Sequence, residues 1–264
     1  MTAIICYGCF ARFTHSRAHF KCLEHSPPFI FPASGPGTGG RRSWDAVCPH
    51  DDRFTGFRVC PHCRRDLPYY VGRTNQNIVA ITGDRGAGKT AYLWSLLYQL
   101  SEIATRKPAP FAVAMFETDS SYRAYQKLCA TVLIERTVPE ATQVVDFIQG
   151  QFDPVIARLL CDGRKASSFC NVVFYDPPGE LFANLEKIRY LRYLAHARAM
   201  IFLVEVPAHA SAPTAGPLAS AAGDHLAAIA HQIREVNGIS KAQKLPQTLA
   251  IGITKSDEAI FREY

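Results

Sequence analysis

Short apolar runs alternate with segments of helical periodicity along most of this chain. Ile78-Val79-Ala80-Ile81 reads as a buried parallel strand, and the apolar positions from Ala91 to Leu100 recur at helical spacing. After a break at Lys107-Pro108-Ala109-Pro110, Phe111 to Glu117 reads as a strand and Ser121 to Arg136 as a helix with Tyr125, Leu128 and Val132 on one face. Asp153 to Cys161 and Ser168 to Tyr175 form two further strands around the turn signal Asp162-Gly163-Arg164-Lys165. Leu181 to Arg198 is expected as an amphipathic helix, Ala199 to Val206 as a strand, Leu218 to Val236 as a helix, and Gln247 to Ile253 as another buried strand. Strands alternating with helices predict an α/β fold over residues 75–264, with a mostly parallel sheet and helices on both faces.

Residues 1–70 lack that alternation and read as a separate small domain. Two Cys-x-x-Cys pairs frame it, Cys6-Tyr7-Gly8-Cys9 and Cys60-Pro61-His62-Cys63. One tight turn presents two thiolates to one ion, and two such turns complete a tetrahedral site of four cysteines, so these residues predict a zinc-ribbon-like domain. Cys22 and Cys48 leave alternatives open: a second site of their own, or substitution of one of them into the first. His25, His50 and His62 are expected to be solvated loop residues. The Pro/Gly-rich stretch at about 26–42, Ser26-Pro27-Pro28 onward, is expected to be a long irregular insertion whose Phe29-Ile30-Phe31 covers the ribbon's small core. With so few apolar residues available, zinc should supply folding energy outright.

Composition changes this picture little. Six of the nine cysteines precede residue 64, and Met-Thr-Ala-Ile-Ile-Cys is not a secretion signal, which favours metal over disulfides and a cytoplasmic location. No apolar run is long enough for a membrane span. The net charge of +6 is a mild excess, with clusters at Arg41-Arg42 and Arg64-Arg65. These allow an acidic partner, but lack the interleaved aromatic residues of a surface that stacks nucleic-acid bases.

Three short segments carry the chemistry. Between the first strand and helix of the α/β part, Gly83, Gly88, Lys89 and Thr90 fit G-x-x-x-x-G-K-[ST]. Such a loop curls so that successive amides face phosphate oxygens, Lys89 reaches the β- and γ-phosphates, and the Thr90 hydroxyl ligates Mg²⁺. The run Val172 to Tyr175 then delivers Asp176 at a strand end, followed by Pro177-Pro178-Gly179-Glu180. Asp176 can hold a Mg²⁺-bound water, and the Gly179 amide can sense a γ-phosphate and move when it leaves. Thr254-Lys255-Ser256-Asp257 fits [NT]-K-x-D: the Asp257 carboxylate can accept the two donors that guanine presents and adenine lacks, while the Lys255 stem covers the ring.

In that order the three segments resemble the first, third and fourth boxes of P-loop GTPases of the translation-factor and Ras-like class. The cysteine pairs and the helical insertion before the Asp box resemble, more narrowly, the bacterial double-GTPase proteins. The resemblance implies a P-loop NTPase sheet and binding of GTP or GDP by the whole loop, Gly83, Asp84, Arg85, Gly86, Ala87, Gly88, Lys89, Thr90 and Ala91, together with Gly179. It further implies Mg²⁺ at Thr90 and Asp176, guanine reading by Thr254, Lys255 and Asp257, and hydrolysis of GTP in service of a partner protein or a second GTPase. Three departures stand out. Glu180 occupies the position after the switch glycine, where it can orient the attacking water but is negative beside phosphates. Arg85 stands inside the loop, where it is expected to be flexible and solvated. The closing strand and helix of the class fold are missing after Asp257, so the chain is either a fragment or completed in another way. The switch threonine is Thr118 or Thr142, with Thr142 preferred. Two rival readings remain: a nucleotide-dependent interaction module whose ribbon docks protein or nucleic acid without appreciable turnover, and an ATPase.

Overall fold

The computed structural model describes residues 3–32, 45–68, 71, 72, 74–105, 111–116, 118–135, 137, 153–161, 169–182, 185–205 and 216–255. The N-terminal segment folds as short antiparallel pairs. β1 (Ile4–Ile5) pairs with β2 (Arg12–Phe13), and β5 (Ala46–Val47) pairs with β6 (Phe54–Thr55). Around β3 (His19–Cys22), a four-stranded sheet orders β4 (Phe29–Pro32), β3, β7 (Arg58–Val59) and β8 (Asp66–Leu67). The Pro/Gly-rich stretch is therefore not irregular throughout. Phe31 buries itself against Phe20, their rings 6.1 Å apart, and Pro32 ends an edge strand where a missing N–H costs no internal ladder bond. As expected, the Phe29 and Phe31 side chains belong to the small core of this region, with Phe20, Cys22, Ala46 and Cys48.

The larger sheet has six strands in the order β10-β11-β12-β9-β13-β14. They are β9 (Asn75–Gly83), β10 (Phe111–Phe116), β11 (Val155–Cys161), β12 (Phe169–Tyr175), β13 (Ala199–Glu205) and β14 (Thr248–Thr254). β12, β9, β13 and β14 run parallel, while β10 and β11 join antiparallel. One face is covered by α1 (Lys89–Thr105), whose Leu93, Trp94 and Leu97 pack with Ile81, Val172 and Phe174, and by Tyr125 of α2 (Asp119–Cys129). α2 stops short of the expected Arg136: Thr118 caps its start, accepting a 3.1 Å bond from the Ser121 amide, and a π-helical turn, Ala130–Ile134, closes it. The other face carries the short α3 (Leu185–Ile188) and the long α4 (Gly216–Asn237), through Ile188, Ala228, Ile229 and Ile233.

Two expectations are overturned. Leu181 to Arg198 is not one helix but a 3₁₀ turn (Gly179–Leu181), α3 and a second 3₁₀ turn (Arg192–His196). Leu181, Phe182, Ile188, Leu191, Tyr193 and Leu194 are all buried, and no single helical face can bury 191, 193 and 194 together. Packing wins over periodicity here. Tyr193 stacks on Tyr175 at 4.6 Å and His196 on Phe10 at 5.5 Å. Nor is the last strand buried: β14 is an edge, paired only with β13 among the described residues, and Leu249, Ile251 and Ile253 are 44%, 61% and 66% exposed.

One core runs through both parts of the chain. Ile4, Cys6, Tyr7 and Phe13 pack in the same cluster as Ile78, Val173, Tyr175, Tyr193 and Leu194. Gln76 clasps the backbone of Ile5, accepting from its N–H at 3.1 Å and donating to its carbonyl at 3.4 Å. Burial holds the Tyr175 hydroxyl well above the usual phenol range, so it stays protonated and donates to the Tyr7 carbonyl at 2.7 Å. Tyr193→Ala removes a fully buried ring from this junction. It is expected to destabilise the protein by about 3–5 kcal/mol, read from the urea unfolding midpoint.

Candidate functional site

The carboxyl ends of β9, β12, β13 and β14 share one edge of the sheet, and the sequence-predicted residues gather there. β9 ends at Gly83, whose φ of +142° and close approach to the Leu203 carbonyl leave no room for a Cβ. The loop then runs through Asp84, Arg85, Gly86 (φ +82°), Ala87 and Gly88 (φ +73°) into α1, which begins at Lys89 and continues through Thr90 and Ala91. Lys89 is buried, and its Nζ donates to the carbonyls of Gly83 at 3.0 Å and Asp84 at 2.7 Å, with the Phe182 ring 5.8 Å away. Burial lowers the affinity of Lys89 for its proton, while Asp176, Asp84 and Glu180 pull the other way.

β12 lies beside β9 in parallel register and delivers Asp176 to the start of α1. The Thr90 hydroxyl donates to Asp176 Oδ2 at 2.6 Å, so two oxygen donors of the kind Mg²⁺ prefers lie side by side. Next in the chain, Gly179 packs onto the loop itself: an added Cβ would collide with the backbone of Arg85, at both its N and Cα. Arg85 is not free. Its Nε lies 3.1 Å from Glu180 Oε1, tying the loop to the segment after Asp176, although the guanidinium remains 81% exposed.

At the other end of the edge, Thr254 Oγ1 donates to the Val204 carbonyl at 3.3 Å. Lys255, at φ +56°, places Nζ 2.7 Å from Glu205 Oε1. Glu205 Oε2 is also the nearest atom to a Cβ built on Gly86, so this carboxylate stands between the Thr-Lys segment and the phosphate-type loop. Asp257 and Thr142 lie outside the described residues, whereas Thr118 is occupied as the cap of α2. Two residues escaped the sequence reading besides Glu205. His225 on α4 lies 2.9 Å from Asp84 Oδ1, and Phe182 walls in Lys89. None belongs to a motif; each is found only through the strand and helix that carry it.

The Cys-x-x-Cys pairs converge as expected. Cys6 and Cys63 sulfurs are 3.6 Å apart, Cys9 and Cys60 sulfurs 3.7 Å, and all four lie within 4.8 Å of one another. A zinc ion with bonds of about 2.3 Å to four sulfurs sets neighbouring sulfurs about 3.8 Å apart, so the donor set fits. Each turn also bonds its first sulfur from the amide two residues on, Gly8 to Cys6 at 3.3 Å and His62 to Cys60 at 3.4 Å. Neither Cys22 nor Cys48 enters this quartet; both belong to the separate small core around Phe20. His25 is not a solvated loop residue, for its Nε2 lies 3.4 Å from Cys48 Sγ.

A glycine-bearing loop leading from a central parallel strand into a helix, with a Thr–Asp pair and a closing glycine at the same edge, is the arrangement of P-loop nucleotide-binding proteins. Within that class, the Double-GTPase 2 family model matches residues 77–263, and the chain belongs to that family. Membership suggests GTP binding, and the cysteine-rich segment lies outside the match. No curated protein matches the chain. Among the described residues, no helix is long and apolar enough to cross a membrane.

Gly179→Ala tests the contact between Gly179 and the loop. The overpacking cost of about 1–3 kcal/mol falls on the loop backbone and should weaken binding of a fluorescent guanine nucleotide about tenfold or more, with far-UV circular dichroism unchanged.

Proposed function

We propose that the protein binds Mg²⁺·GTP at this sheet edge and hydrolyses it to GDP and phosphate, acting as a switch for a partner protein or a second GTPase. The observation that carries this reading is the meeting of Lys89, Thr90, Asp176 and Gly179 around one loop. Amides from Gly83 to Ala91 hold the phosphates, and Lys89 exchanges its two carbonyl bonds for phosphate oxygens. Asp176, Asp84 and Glu180 would repel a triphosphate, and Thr90 with Asp176 are the residues that would hold a divalent cation there. When bound, that ion neutralises charge on the phosphate oxygens.

Thr254, Lys255 and Asp257 read guanine, with Glu205 positioning Lys255. Thr142 would serve as the switch threonine that answers to the cation. Glu180 orients the attacking water only after Arg85 releases it, so unaided turnover is slow and a partner that captures Arg85 accelerates it. Loss of the γ-phosphate removes the acceptor of the Gly179 amide and frees the segment from Pro178 to Phe182. Zinc on Cys6, Cys9, Cys60 and Cys63 stabilises the N-terminal part. The module reading, in which the ribbon docks protein or nucleic acid, lacks this turnover, and the same measurement separates the two.

Phosphate release from GTP and ATP in parallel, with calorimetric binding, is the direct test. GTP is expected to bind and turn over with ATP inert, and Lys89→Ala to abolish both properties. GTP bound without phosphate release would favour the module, and equal use of ATP would remove the guanine reading. For Asp257→Asn the expected result is a loss of guanine affinity of about 100-fold, from leaving a donor of the base without its acceptor, with the fold retained.

A further inference from the structure

The two cysteines left over from the quartet stand in an arrangement of their own. We propose that Cys22, His25, Cys48 and Asp51 form a second zinc site, independent of the first, in which two thiolates, one imidazole and one carboxylate hold the ion. The four donor atoms lie within 4.8 Å of one another. Cys22 Sγ is 3.6 Å from Asp51 Oδ2, His25 Nε2 is 3.4 Å from Cys48 Sγ, and the same nitrogen is 3.4 Å from Asp51 Oδ2. Tetrahedral zinc with bonds of about 2.3 Å to sulfur and about 2.0–2.1 Å to nitrogen or oxygen requires sulfur-to-N/O edges of about 3.5–3.6 Å and a nitrogen-to-oxygen edge of about 3.3–3.4 Å. All three observed separations fall on or close to those edges. Thiols this close in a carbon core would need only van der Waals spacing, not this set.

The backbone gives a second, independent argument. In the quartet's turns, Cys6 N–H donates to the Ala11 carbonyl at 3.0 Å and Phe10 N–H to the Cys6 carbonyl at 2.8 Å, with Phe10 at φ +61°. Cys60 repeats the pattern with Arg65 at 2.9 Å and Arg64 at 3.0 Å, Arg64 having φ +59°. Cys48 repeats it a third time, with Arg53 at 2.8 Å and Asp52 at 3.0 Å, Asp52 having φ +55°. Three non-glycine residues in the left-handed region, each four positions after a cysteine, mark one turn used three times, and the third turn presents Asp51 where the others present a cysteine. Four Cys-x-x-ligand turns therefore nest in the order outer, inner, inner, outer along the chain.

Burial and connectivity agree with this. Cys22 and Cys48 are 2% and 0% exposed and close a core of only five buried residues. Cys22 ends β3, and Cys48 follows β5, so the ion would cross-link two hairpins that meet in this small core. Arg53 N–H donates to Asp51 Oδ1 at 3.1 Å, which leaves Oδ2 as the oxygen aimed at Cys22 and His25.

Zinc per chain, counted by mass spectrometry on the full-length protein after a chelator wash, tests the proposal. Cys22→Ser and Cys48→Ser are each expected to lose one equivalent relative to wild type, and Cys60→Ser to lose a different one. A count unchanged by Cys22→Ser overturns the second site, whereas a count unchanged by Cys60→Ser overturns only the first. If the serine variants unfold, His25→Cys in the cobalt-substituted protein decides the matter. Its thiolate-to-cobalt absorption should rise from six thiolates to seven, and an unchanged spectrum overturns the assignment.

Discussion

The site depends on parallel pairing on both sides of β9. Parallel strands carry their carboxyl ends to one edge, and there the chain leaves each strand for a loop. With Tyr175 beside Ala80 and Leu203 beside Gly83, the residues after β12 and β13 emerge next to the loop that follows β9. Hence Asp176 meets Thr90 and Glu205 reaches Gly86, across 86 positions of sequence in the first case. β11 alone runs against the rest, β10 shares the direction of β12, and the two extend the sheet beyond β12.

Much of this arrangement was legible in the sequence, because its signals are local. Gly83 to Thr90 declares its own turn, and the apolar runs declare most of the strands. What was not legible is what depends on neighbours. Leu181 to Arg198 has helical spacing in part, but the rings of Phe10 and Tyr175 offer it a better burial as a kinked path. Arg85 looks like a solvated side chain until Glu180 is folded beside it. His225 and Glu205 belong to elements whose position only the sheet order fixes. Gln247 to Ile253 is apolar enough to be central, and apolar content alone does not distinguish a central strand from an edge.

The N-terminal part follows a different logic. Its strands are two to four residues long, too short to hold by ladder bonds, and the core around Phe20 that it does not share with the larger sheet is small. Cross-links between its Cys-x-x-ligand turns, if metal fills them, would substitute for buried area in a segment of this size. The Cys-x-x-His spacing at Cys22 and His25 was visible in the sequence. Asp51 carries no such signal, since an aspartate after Pro-His reads as an ordinary turn residue.

Tyr175 and Asp176 are adjacent, and side chains alternate along a strand, so they face opposite ways. One hydroxyl grips the carbonyl of Tyr7, inside the first cysteine turn, while the next carboxylate grips Thr90 at the head of α1. A single peptide unit thus joins the first cysteine turn to the loop that follows β9. Because coupling free energies are reciprocal, any restraint that an ion in the cysteine turn placed on Asp176 would be matched by an equal effect of an Asp176 ligand on that turn.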